Sequence, residues 1–187
     1  MSEICQKLEY ILGSKAFPGD LDFTPIEYEG DNAPFAYQSG NLAVPIVHLQ
    51  NLYISSRRGS KVSLLINPSD LSSWNKRRRM VISGDIKSED EYLFTSFLLS
   101  KHAGKPAIWG MRKWLVQRIG PINYEVEIFV CNRAADRYPN NYHAWAYRKS
   151  IFATLVLDVK KEEQAADYTS RLIDKELLQV ESFVSTI

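Results

Sequence analysis

Three times along the chain a tryptophan is followed three positions later by an arginine and then by a second cation. The copies are Trp74-Asn75-Lys76-Arg77-Arg78, Trp109-Gly110-Met111-Arg112-Lys113 and Trp145-Ala146-Tyr147-Arg148-Lys149. On a helix, residues three apart share a face, so each Trp and Arg project together. The indole is an apolar wedge of about 200 Å². The guanidinium beside it is a planar fork of donors that must find carbonyls or a carboxylate once it leaves water. The pair Trp74 and Arg77, with Trp109 and Arg112, and Trp145 and Arg148, is therefore read as packing between repeated units.

The remaining reactive groups are sparse. His48 and His102 have no partnered ligands in sequence, and Cys5 and Cys131 form neither a disulfide framework nor a zinc spacing. No metal site is expected in this chain. No Gly-rich phosphate loop and no Ser-His-Asp or Cys-His ordering favours hydrolytic chemistry. The run Lys76-Arg77-Arg78-Arg79 is basic, but Arg77 and Arg78 already belong to a repeat and no aromatic platform accompanies them, so nucleic acid is not expected as a partner.

The elements that must position these residues follow from the period. Trp74, Trp109 and Trp145 are 35 and 36 residues apart, the spacing of stacked helix pairs. The expected fold is all-α: an α-α superhelix, a right-handed solenoid of stacked helical hairpins, with an irregular N-terminal lead-in. Two segments are expected. Residues 1–60 form an irregular N-terminal segment with one short helix, over residues 2–12, where Ile4, Leu8, Ile11 and Leu12 have helical spacing. Residues 61–187 hold the helical repeats. Between 17 and 45, four prolines and three glycines interrupt any regular element.

In the first pair, Val62 to Ile66 ends one helix before Asn67-Pro68, Asp70 or Ser72 caps the next, and Gly84 ends it. In the second, Ser88-Glu89-Asp90-Glu91 reads as a capping box, and Leu93, Phe97 and Leu98 face one side. Pro106 suits the first turn of the partner helix, which Gly120-Pro121 stops. In the third, Asn123 is the cap, Val126, Phe129, Val130 and Ala134 have roughly helical period, and the turn is Tyr138 to Asn141. A last helix is expected from about 160 to 180. Its companion would need about another 20 residues, so the array reads as incomplete there, with Leu172, Ile173, Leu177, Leu178 and Val180 left for a partner or for a longer form.

Lysine plus arginine is 23 against 22 for aspartate plus glutamate, so no global charge steers the chain to nucleic acid or lipid. The N-terminus lacks the long apolar run of a signal peptide, and no segment reaches the ~20 apolar residues of a membrane span. A reducing, cytoplasmic compartment is the expectation, without direct membrane insertion.

The segment Asn141-Tyr142-His143-Ala144-Trp145 through Arg148-Lys149 resembles the repeat motif of the alpha subunits of protein prenyltransferases. Ala107 to Leu115 and Ser73 to Arg78 resemble its other copies, over about residues 61–160. Arg133 to Tyr142 and Pro45 to Val47 are most similar to a divergent branch, the alpha-like subunits of the type III geranylgeranyltransferase. The resemblance implies an alpha subunit, inactive alone. It would wrap a beta subunit of the Rab geranylgeranyltransferase type, which holds zinc and the isoprenoid. The pair would move a geranylgeranyl group from its diphosphate to a cysteine near a substrate protein's C-terminus. By the same resemblance Tyr142 and His143 face the diphosphate. The lysine and tyrosine that such subunits carry one repeat earlier correspond here to Gly104 and Pro106, with Lys105 one position off as a substitute. A non-catalytic helical-repeat scaffold for protein–protein interaction is the alternative.

Overall fold

The computed structural model describes residues 1–14, 19–159, 170, 171, 173 and 174. Most of the expected last helix therefore lies outside the described residues. The chain divides into two compact units, Met1–Trp145 and Ala146–Ile187.

The first unit begins with α1 (Glu3–Ser14), which buries Cys5, Leu8, Ile11 and Leu12 along one stripe. Where the sequence suggests an irregular lead-in, the structure forms a sheet. Strands β1 (Leu21–Thr24), β2 (Ala36–Gln38) and β3 (Asn41–Pro45) lie in the order β1-β3-β2. The central β3 runs parallel to β1 and antiparallel to β2. The prolines and glycines punctuate these short strands without abolishing them. Ser39 and Gly40, with φ of 51° and 86°, form the two-residue loop of the β2–β3 hairpin, the conformation such loops need to match strand twist. Leu21 of β1, Leu42 and Val44 of β3 and Phe35 just before β2 are among the buried side chains.

A 3-10 turn (Ile46–His48) leads into α2 (Leu49–Ser55) and then α3 (Lys61–Ile66). Next come α4 (Leu71–Ser83), α5 (Ser88–His102), α6 (Pro106–Ile119) and α7 (Tyr124–Arg137). The expected punctuation largely holds. Asp70 caps α4 by accepting from Ser72 N at 3.0 Å, and Gly84 ends the helix in the left-handed region. Asn123 caps α7 through Val126 N, and Pro106 opens α6. Helix α5 packs against α6, α7 and β1, and α4 against α6. This alternation is that of a helical-repeat fold.

Several local expectations are overturned. Ser88 is not a cap: Lys87 occupies that position, and Glu91 turns inward and is buried. Leu93 is exposed on α5, while Phe94, Phe97 and Leu98 are buried. On α7 Val126 and Phe129 are exposed, and the core side is Ile128, Val130, Cys131, Ala134 and Ala135. In both helices a buried glutamate sets the inward face, shifting the apolar stripe around the axis.

The lead-in is fastened to the array through β1. Leu21 N donates to Ser100 Oγ at 2.8 Å, Lys101 pairs with Asp22, and Arg133 pairs with Asp20. Helix α8 (Tyr142–Val159) starts in the first unit. Within the second unit Tyr147, Arg148, Ile151 and Leu155 are buried.

Candidate functional site

Each kernel tryptophan does the same thing. Its indole N–H donates to the carbonyl six residues upstream: Trp74 to Pro68 O at 2.9 Å, Trp109 to Ala103 O at 2.7 Å, Trp145 to Pro139 O at 3.1 Å. The indole thus locks the turn onto the helix that follows it. At Ala103 it satisfies a carbonyl at the end of α5 that has no intrahelical partner. Trp74 and Trp109 are buried, whereas Trp145 is half-buried.

The arginines reach forward to the next hairpin. Arg77 donates from Nε to Glu91 Oε1 at 2.6 Å and from Nη2 to Oε2 at 2.5 Å, and Nη1 reaches Gly59 O at 2.9 Å. Arg112 donates from Nε and Nη2 to both oxygens of Glu127, at 2.8 and 3.0 Å. Its Nη1 reaches Ser96 Oγ at 2.6 Å and Thr95 Oγ1 at 3.1 Å, and its guanidinium lies 4.1 Å from the Tyr92 ring centre. The Tyr92 hydroxyl also donates to Glu127, and burial pushes that phenol far above its ordinary pKa. Arg112 and Glu127 are 0% and 1% exposed. A buried charge pair of this kind is held only because each lone pair and proton has a partner.

Glu91, which the sequence reads as part of a capping box, and Glu127 are arginine partners that sequence reasoning misses. Their signal is present: each stands 14 or 15 positions after its kernel arginine, and they are 36 residues apart, matching the tryptophan period. Glu162 and Glu163 have the same sequence spacing from Arg148, but lie outside the described residues.

The outer edge is built differently. Asn141 Oδ1 accepts from Ala144 N at 3.2 Å, capping α8, and its Nδ2 donates to Ala103 O at 2.9 Å. One side chain thereby ties the start of α8 to the turn that carries Lys105. Tyr142 and His143 follow in the first helical turn, with rings 5.7 Å apart in an edge-on arrangement. Tyr142 is 75% exposed and His143 half-buried. Lys105, at the start of α6, is exposed and its side chain makes no capping bond. Tyr142, His143 and the Lys105 turn thus share one edge, and the positive end of a helix dipole is there to favour an anion. The basic run Lys76–Arg79 does have an aromatic neighbour, since Arg78 lies over the Trp114 ring.

Among the described residues no helix is long and apolar enough to cross a membrane. Residues 124–155 match the family model for the protein prenyltransferase alpha subunit repeat. Over 108 residues the chain is 32% identical to the zebrafish (Danio rerio) protein prenyltransferase alpha subunit repeat-containing protein 1, covering 46% of this chain and 25% of that protein. The human protein of the same name is 31% identical over 120 residues, 52% of this chain and 30% of the relative. The geranylgeranyl transferase type-2 subunit alpha of Candida albicans is 27% identical over 114 residues, 53% of this chain and 31% of the relative. The matched stretch thus spans about half of this chain and a quarter to a third of each of these relatives. The chain carries the protein prenyltransferase alpha subunit repeat, directly matched at residues 124–155, and its two earlier kernels repeat the same Trp geometry.

Proposed function

We propose that this chain acts as an alpha-type subunit of a heterodimeric protein prenyltransferase, supporting transfer of a geranylgeranyl group from its diphosphate to a cysteine near the C-terminus of a protein substrate. The observation that carries the reading is the matched repeat, with Tyr142 and His143 displayed at its accessible edge. The nucleophile is the thiolate of the substrate protein's cysteine, which a zinc ion held by a beta subunit of the Rab geranylgeranyltransferase type would bind and keep deprotonated. This chain's contribution is electrostatic. Tyr142 and His143 offer hydrogen-bond donors to the diphosphate as negative charge builds on it during departure. The first turn of α8 adds its dipole, and Asn141 holds that turn in place.

Co-expression with such a beta subunit, followed by assay with labelled geranylgeranyl diphosphate, tests the proposal. A stable complex with transfer activity is expected, and no activity from the chain alone. Failure to form any complex would overturn it.

One observation favours a second reading, a non-catalytic scaffold. Gly104 and Pro106 stand where the resemblance implies a lysine and a tyrosine, and Lys105 is an exposed cap residue one position away. Complex formation without transfer would support that reading.

A further inference from the structure

Helices α4 and α6 pack against each other and carry no aspartate or glutamate. They hold seven cations: Lys76, Arg77, Arg78 and Arg79 on α4, Arg112, Lys113 and Arg118 on α6. Arg77 and Arg112 are neutralised internally by Glu91 and Glu127, and the Lys76 ammonium donates to Arg58 O at 3.0 Å. The other four have no carboxylate partner among the described residues. Two of them converge on one ring: the guanidinium carbons of Arg78 and Arg118 lie 5.8 and 4.8 Å from the centre of the half-buried Trp114 indole. Arg78 Nε is buried and has no hydrogen-bond partner among the described residues, and Nη1 only reaches Asn75 Oδ1 at 3.5 Å. Arg79 follows Arg78 in sequence, Lys113 precedes Trp114, and both are exposed.

We propose that the Arg78–Trp114–Arg118 cluster on α4 and α6 is a docking surface for an acidic segment of a partner protein. The indole attracts the two guanidinia, leaving the exposed fork of Arg118 and the terminal nitrogens of Arg78 to meet carboxylates. Two like charges over one ring repel, and an incoming carboxylate pair relieves that repulsion, so the surface is complementary to clustered acids. Nucleic acid is the poorer occupant. Base stacking needs an open aromatic face, and here guanidinia already lie over the indole. A sequence pI of about 7.7 supplies none of the long-range attraction of a basic nucleic-acid-binding domain. The proposal does not depend on the prenyltransferase reading.

The test uses the full chain and two fluorescent probes: a short synthetic peptide rich in Glu and Asp, and a single-stranded oligonucleotide of equal formal charge. Anisotropy at low salt should show peptide binding that fades as salt is raised and that exceeds binding of the oligonucleotide. The R78Q/R118Q double variant should bind the peptide about tenfold more weakly, the size expected of two partly exposed charge pairs, with an unchanged melting temperature. R137Q, at an exposed position at the end of α7, should bind as the parent does. Because Arg78 is partly buried, R79Q/K113Q provides a second pair at exposed positions and should weaken binding by a smaller factor. No peptide binding by the parent, full binding by both double variants, or tighter binding of the oligonucleotide would overturn the proposal.

Discussion

The interior and the edge of the repeat use the same helices for opposite ends. Arg112 sits inside, with its guanidinium donating to Glu127, Ser96 and Thr95 and lying against the Tyr92 ring. Tyr142 and His143 sit in the first turn of α8, Tyr142 exposed and His143 half-buried. On sequence alone an arginine beside a tryptophan reads as packing between repeated units. Its burial against a carboxylate makes it structural, and leaves function to residues that packing does not need.

Breaking the interior should have the largest effects. Glu127→Ala strands a fully buried guanidinium and is expected to cost about 3–5 kcal/mol. For a chain of this size that is about 2–4 °C of melting temperature per kcal/mol, readable by calorimetry. Replacing both partners, Arg112→Met with Glu127→Leu, should recover much of the loss, because well-packed apolar groups need no counter-ion. No recovery would mean that the pair does more than neutralise itself. Trp109→Ala is expected to cost about 3–5 kcal/mol through the cavity and the lost bond to Ala103 O.

Asn141→Ala lies between the two regions. It removes a helix cap and the tie to Ala103 O, so about 1–2 kcal/mol of stability should go. Transfer activity of the complex should fall by more than that loss of stability explains, because the Tyr142–His143 turn is no longer held. Equal losses of both would make Asn141 a packing residue only.

A smaller effect is pH-dependent. Burial holds the His102 pKa below its ordinary value, although its ring bonds to Leu65 O at 2.9 Å. The unfolded chain therefore binds a proton at His102 more readily than the folded one. Stability contributed by this residue is full above about pH 6.5 and declines as pH falls toward the lowered folded value. His102→Gln should flatten that part of the pH–stability curve. An unchanged slope below pH 6.5 would exclude the residue as its source.

The repeat was legible because tryptophan is rare and its spacing is rigid. Asp70, Pro106, Asn123 and Gly84 marked helix ends for reasons local to the backbone, and they do so in the structure. By local rules Glu91 is half of a capping box, which the structure does not form. Its partner Arg77 is 14 residues away on another helix, and no local rule detects such a pair. The sheet was hidden for the opposite reason. Strands of three to five residues give too short an alternation to register, and their turn residues masked them. At the edge, the sequence places Asn141 in a turn and at the start of the repeat motif, but its tie to Ala103 joins residues 38 apart and carries no local signal.

The most direct test of the division between interior and edge is His143→Ala in the complex with a beta subunit. Melting temperature and complex formation should match the parent, while geranylgeranyl transfer falls on the order of tenfold to a hundredfold, as for loss of a donor to a developing anion. A variant that melts lower yet transfers at the parental rate would place His143 in the packing and contradict the account.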